Sequence, residues 1–174
     1  MLKYAWQYKE ALEQLYVQTI DDPRLKFLHC NGWLDFDLGL DKTTWTKLQH
    51  VSVNSKGEVI GYLCADLDLK VNSVSSLYVM NFYDKSVTFS KDFYAFLETL
   101  LQRYTKVNFS VVVGNPAETM YDRVVKKYGG RVVGVKEDHV NIEGTLHDMK
   151  MYEVMQRNYK EVTNDNTAHN PRNY

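Results

Sequence analysis

Apolar residues recur along this chain with two periods, one helical and one alternating, and each change of period marks a new element. Tyr8, Leu12, Leu15, Tyr16, Thr19 and Ile20 share one helical face, which Asp21-Asp22-Pro23 ends. Leu2 to Trp6 reads either as a short strand or as the lead-in to that helix. Residues 24–48 are rich in apolar and aromatic side chains but follow neither period. Val51 to Val53 and Val59 to Leu69 form two strand-like runs, and Asn54-Ser55-Lys56-Gly57 between them predicts a β-hairpin. Asn72-Ser73 turns the chain again, and Val74 to Phe82 is the next strand. Phe93, Phe96, Leu97, Leu100, Leu101 and Tyr104 then return to helical spacing, which predicts a helix over residues 90–104 with a core-facing apolar stripe.

The stretch from Val107 to Gly134 is the most legible. Val107 to Val113 is a β-branched and aromatic run that reads as a largely buried strand. Gly114-Asn115-Pro116 breaks it, and a proline suits the first turn of a helix, where its missing N–H is not needed. Ala117, Met120, Tyr121, Val124, Val125 and Tyr128 follow at helical spacing. Gly129-Gly130 ends the helix, because glycine takes the left-handed C′ conformation without penalty. Arg131 to Ile142 and Leu146 to Met155 close the pattern as two strands joined at Glu143-Gly144-Thr145. From Gln156 the apolar content collapses, so residues 156–174 read as a polar, disordered tail.

Asn115-Pro116-Ala117, with Tyr121 six residues after the Asn and a glycine at the helix end, resembles the C-terminal half of the GNAT (Gcn5-related) N-acetyltransferases. The order of elements fits the same family over residues 1–155. The resemblance implies a single α/β domain with a mixed, mostly antiparallel central sheet and helices on both faces. The strands ending near Phe82 and Val113 would be parallel neighbours that splay apart, joined by the helix over residues 90–104. It also implies acetyl-CoA as co-substrate and an amine as acceptor, and it leaves a homodimer open. Met80, Asn81 and Phe82 would offer main-chain groups to the pantetheine arm, beside Asn115. Lys85, Ser86, Val87, Thr88, Phe89 and Ser90 occupy the window that in the family reads Gln/Arg-x-x-Gly-x-Gly/Ala and holds the CoA pyrophosphate on backbone amides. Here lysine replaces the first residue, and hydroxyl residues replace both glycines. The window therefore reads either as a pyrophosphate loop or as an ordinary helix entry capped by Ser90.

In the implied reaction a neutral amine attacks the thioester directly, and one acid protonates the leaving thiolate. Tyr121 corresponds to the family's donor, with Tyr128 in reserve; a packing role for Tyr121 is the other reading. Asp35, Asp37, Glu58, Asp66 and Asp68 are all conceivable general bases. The alternative function is a GNAT-like module that no longer catalyses and binds a protein or small-molecule partner.

Composition narrows the field further. The 174 residues suit one domain, with 44% hydrophobic and 25% charged positions. A net charge of −1 and no basic stripe argue against nucleic acid, so the 13 tyrosines read as core and rim residues. Cys30 and Cys64 show no metal-ligand spacing, which leaves no metal site expected and suits reduced thiols in the cytoplasm. The N-terminus lacks the apolar core of a signal peptide, and no apolar run approaches the ~20 residues of a membrane helix.

Overall fold

The computed structural model describes residues 1–20, 22–28, 39–40, 45–83 and 85–168. The elements run β1 (Leu2–Tyr4), a 3-10 turn (Ala5–Tyr8), α1 (Lys9–Gln18), a 3-10 segment (Pro23–Leu28), β2 (Lys47–Val53), β3 (Val59–Asp68) and β4 (Ser73–Asn81). Then follow α2 (Val87–Arg103), β5 (Lys106–Val112), α3 (Glu118–Tyr128), β6 (Arg131–Ile142), β7 (Thr145–Met155) and α4 (Gln156–Ala168). The strands make a seven-stranded sheet in the order β1-β2-β3-β4-β5-β7-β6. β4 and β5 are parallel; the other described pairings are antiparallel. The expected α/β domain, mixed sheet and parallel central pair are all present.

Side chains alternate across a strand, so β3 serves two cores. Leu63 and Ala65 join the apolar stripes of α2 and α3 and the buried Tyr159 of α4 on one face. Tyr62 and Cys64 meet Leu12 and Tyr16 of α1 on the other, together with Met80. Helices therefore cover both faces. Phe93, Phe96, Leu97, Leu100 and Leu101 are all buried on α2, and each contributes about 1.5–3 kcal/mol by leaving water. No helix among the described residues is long and apolar enough to cross a membrane.

Two expectations are corrected. The helix expected over residues 90–104, α2, begins at Val87 rather than residue 90, and its cap is Ser86, whose hydroxyl accepts the Phe89 N–H at 3.2 Å. Ser90 lies inside the helix and donates its hydroxyl to the Ser86 carbonyl at 3.1 Å. The first turn escaped notice because Val87 faces solvent and does not extend the apolar stripe. The polar tail is likewise helical over Gln156–Ala168. It is held by a buried Tyr159 ring against Tyr128, with centroids 5.6 Å apart, and by Asn158 Nδ2 donating to the Gly129 carbonyl at 2.8 Å. A few specific contacts do this, and average composition hides them. Residues 169–174 lie outside the described ones.

Candidate functional site

β4 and β5 run together for two residue pairs, Ser73 with Lys106 and Val74 with Val107, and then part. Asn108 stands where they separate. Its side-chain amide donates to the Val74 carbonyl at 2.8 Å, in place of the main-chain donor that a continued ladder would supply. β5 stays paired with β7 on its other edge down to Val112. A gap therefore opens between two strands at the centre of the sheet.

The register decides which groups face that gap. Phe82 N–H bonds the Ile60 carbonyl at 3.1 Å, so Phe82, Met80 and Tyr78 turn their main-chain groups toward β3. By the same alternation, Leu77, Val79 and Asn81 turn theirs toward the gap. A cleft of about 500 Å³ occupies it. Val79 and Asn81 form one wall, and Asn115, Pro116, Ala117 and Met120 form the opposite one. Lys85, Phe89 and Ser90 stand at the entry of α2, and Leu25 and Phe27 close the remaining side.

The helix entry presents main-chain N–H groups that no intrahelical carbonyl takes. Phe89 N–H is taken by the Ser86 hydroxyl and Ser90 N–H by the Ser86 carbonyl, which leaves the Val87 and Thr88 amides of the first turn. Lys85 sits just before them in a left-handed conformation, φ 57°. A second groove of about 540 Å³ shares Lys85 and Ser90 with the cleft and continues along α2 past Lys91 and Tyr94 to Lys127 of α3. Lys127 Nζ lies 4.7 Å from the centre of the Tyr94 ring, so an aromatic face and ammonium groups line one path.

No family model and no curated protein sequence matches the chain. Its likeness to solved structures is strong. A spermidine N-acetyltransferase SpeG chimera from Vibrio cholerae and hSSAT superposes with a TM-score of 0.72 at 15% identity, over 92% of this chain and 97% of that one. The chain has the GNAT fold. A probable GNAT-family acetyltransferase from Chromobacterium violaceum gives a TM-score of 0.67 at 15% identity, over 92% and 88% of the two chains. The Vibrio cholerae spermidine N-acetyltransferase in complex with CoA and spermine gives 0.69 at 14% identity, over 92% and 97%.

Within the GNAT fold the candidate residues divide. Asn81, Lys85, Phe89, Ser90 and Asn115 come together around the cleft, and Ser86, Val87 and Thr88 form the helix entry beside it. Met80 does not join them: its side chain is buried on the α1 face and its main chain serves β3, as does that of Phe82. The alternation of the ladder turns the main-chain groups of Val79, together with those of the expected Asn81, toward the cleft. Asn115 Oδ1 accepts the Ala117 N–H at 2.9 Å, so that oxygen shapes the turn.

Tyr121 is absent from the cleft-lining residues. Its ring packs among Phe93, Phe109 and Tyr152, with centroids 6.3, 5.1 and 6.1 Å away, on the helix that Ala117 caps and that carries Met120, both of which line the cleft. Burial raises its phenol pKa, so the group stays protonated at neutral pH. Tyr128 is a strut: its hydroxyl donates to Glu98 Oε1 at 2.5 Å and ties α3 to α2. Among the proposed bases, Glu58 accepts from Asn54 at a hairpin tip, Asp68 accepts the Lys70 N–H, and Asp66 lies 3.8 Å from Lys47. None of these three lines the cleft. Asp35, Asp37 and Cys30 lie outside the described residues, and Cys64 is buried. Val79, Lys91, Tyr94 and Lys127 were not singled out by sequence, and Met120 was read there only as a member of its helix's apolar stripe.

Proposed function

We propose that this chain transfers the acetyl group of acetyl-CoA to an amine by direct attack in a ternary complex. The observation that carries the reading is the parting of β4 from β5 over a cleft, with strand-edge main-chain groups on one wall and a helix entry at its end. Bound acetyl-CoA would supply the activated thioester. The amine nitrogen bonds to the thioester carbon, the carbon–sulfur bond breaks, and the thiolate and the amine exchange one proton through an acid and a base.

This chain's residues suit that chemistry in three ways. Main-chain groups of Val79 and Asn81 face the gap, where an N–H can polarise the carbonyl as charge develops. The Val87 and Thr88 amides, the Ser86 and Ser90 hydroxyls and Lys85 offer donors and charge for a pyrophosphate. The groove along Tyr94, Lys91 and Lys127 gives the nucleotide end a charged, aromatic path. Asn81, Asn115 and Met120 fix the walls between which the arm lies. Tyr121 is retained as the proton donor: its phenol carries a proton at neutral pH as any tyrosine does, and it follows Met120 on the helix that forms one wall.

A second reading is favoured by one observation, the enclosure of the Tyr121 ring by Phe93, Phe109 and Tyr152. There the tyrosine is packing, and the fold binds a partner without catalysis. Calorimetry with acetyl-CoA, followed by an assay over a broad panel of amines that includes spermidine and spermine, separates the two. Ser90→Glu should weaken acetyl-CoA binding strongly by repulsion at the helix entry. Tyr121→Phe should lower the transfer rate by roughly 10²–10⁴ with binding preserved. Absence of acetyl-CoA binding even at millimolar concentration would leave the binding module as the answer.

A further inference from the structure

The turn that walls the cleft is held from behind by one ammonium group. Glu118, in the first turn of α3, accepts the Gly114 N–H through Oε2 at 3.1 Å. Its Oε1 lies 3.3 Å from Lys150 Nζ, which reaches across from β7. The same ammonium donates to Asp122 Oδ1 at 2.7 Å, and the Tyr152 hydroxyl donates to that oxygen at 2.9 Å. Glu118 and Asp122 are four residues apart on one helix face, where two carboxylates repel. Lys150 is what allows both to remain there. Its side chain is only 19% exposed, against 47% for Asp122, and Nζ lies 5.3 Å from the centre of the Tyr152 ring. Held this way, Glu118 pins Gly114, whose φ of +88° starts the turn that carries Asn115, Pro116 and Ala117 into the cleft.

We propose that Lys150 is a positioning residue for the acyl-donor site, acting through Glu118 on the Gly114–Ala117 turn without touching the substrate. The inference rests on the reading that this cleft takes acetyl-CoA. The cause is electrostatic and geometric. Without the ammonium, the Glu118 carboxylate moves away from Asp122 and releases the Gly114 N–H, so the wall that presents Asn115 and Pro116 loosens. Displacement of a binding wall by a fraction of an ångström is enough to weaken a positioned ligand on the order of tenfold.

Lys150→Met keeps the stem and removes the charge, and Lys150→Arg restores a cation. Calorimetry with CoA and amide hydrogen exchange on the ligand-free protein read the effect. Lys150→Met is expected to weaken CoA on the order of tenfold and to speed exchange at Gly114, while exchange in the β2–β3 ladder stays at the wild-type rate. Lys150→Arg is expected to recover most of both. If Lys150→Met does not fold, Glu118→Ala takes its place, since it removes the acceptor of the Gly114 N–H through which the ammonium acts; it should shift both readouts in the same direction. Unchanged Gly114 exchange, or a CoA affinity equal to wild type in a variant whose wild type binds, overturns the inference alone. A wild type that takes up no CoA overturns the acetyl-CoA reading and this inference with it.

Discussion

Gly61 of β3 lies directly beneath the helix entry, and Gly61→Ala is the sharpest test of how that entry is seated. A Cβ at this position would lie 2.1 Å from Phe89 Cε2 and 2.7 Å from the Met80 carbonyl oxygen, far inside van der Waals contact. Phe89 is buried, belongs to the first turn of α2 and lines the cleft, so it cannot give way without shifting the helix entry. Overpacking of this kind costs about 1–3 kcal/mol, offset by about 0.4–1 kcal/mol because alanine restricts the unfolded chain. The net loss is roughly 1–2 kcal/mol, which at this chain length lowers Tm by about 2–8 °C. Calorimetric unfolding of Gly61→Ala, Phe89→Ala and the double variant measures it. With the ring removed, most of the clash disappears, so the double variant should be more stable than the sum of the singles predicts by about 1 kcal/mol. Gly134→Ala on β6, where the backbone is not left-handed and an added Cβ would meet only the Met151 methyl at 3.5 Å, serves as the control for glycine replacement without overlap. Additivity of the Gly61 and Phe89 changes within about 0.5 kcal/mol would refute the reasoning.

Asn108→Ala removes the side-chain donor from the Val74 carbonyl where β4 and β5 part; a loss of about 0.5–1.5 kcal/mol is expected by denaturant titration, and no loss would mean that the separation does not depend on that bond. Cys64 has its thiol pKa pushed up to about 11, first by burial, so in a Cys30→Ser background it should resist a thiol-exchange reagent at pH 8 until denaturant is added. Because the folded value is raised, that group's contribution is fully present below the unfolded value and is lost as pH rises toward 11; rapid labelling of native protein at pH 8 would contradict the burial. Asp122 has its carboxyl pKa lowered, chiefly by the hydrogen bond from Lys150, so its contribution is present above the unfolded value and is lost as pH falls through the lower folded one. Asp122→Asn should therefore flatten the loss of stability in acid below about pH 4, and an unchanged acid limb would count against the Lys150 bond.

What the sequence alone determined was whatever depends on near neighbours. The stripe from Phe93 to Leu101 lies within a few turns of one helix, and it is buried as the spacing implies. Gly129 ends α3 in the left-handed conformation, φ 66°, that its position after Tyr128 calls for. Even the parallel β4–β5 pair was legible, because a helix between two strands supplies the crossover that parallel pairing needs. The tertiary structure decided everything that depends on register and on contacts between distant segments. Whether Met80 or Val79 turns its main chain to the gap depends on a one-residue step in the β3–β4 ladder, since each step exchanges the two sides. Lys150 meets Glu118, 32 residues earlier, only because β7 lies beside β5, and nothing near either residue announces the contact. The α4 helix follows the same logic, because Tyr159 finds Tyr128 only after the closing hairpin has brought the chain back across the sheet. Periodicity reports which face of an element is buried; it carries no record of which distant residue will cover that face, and the cleft is made of such meetings.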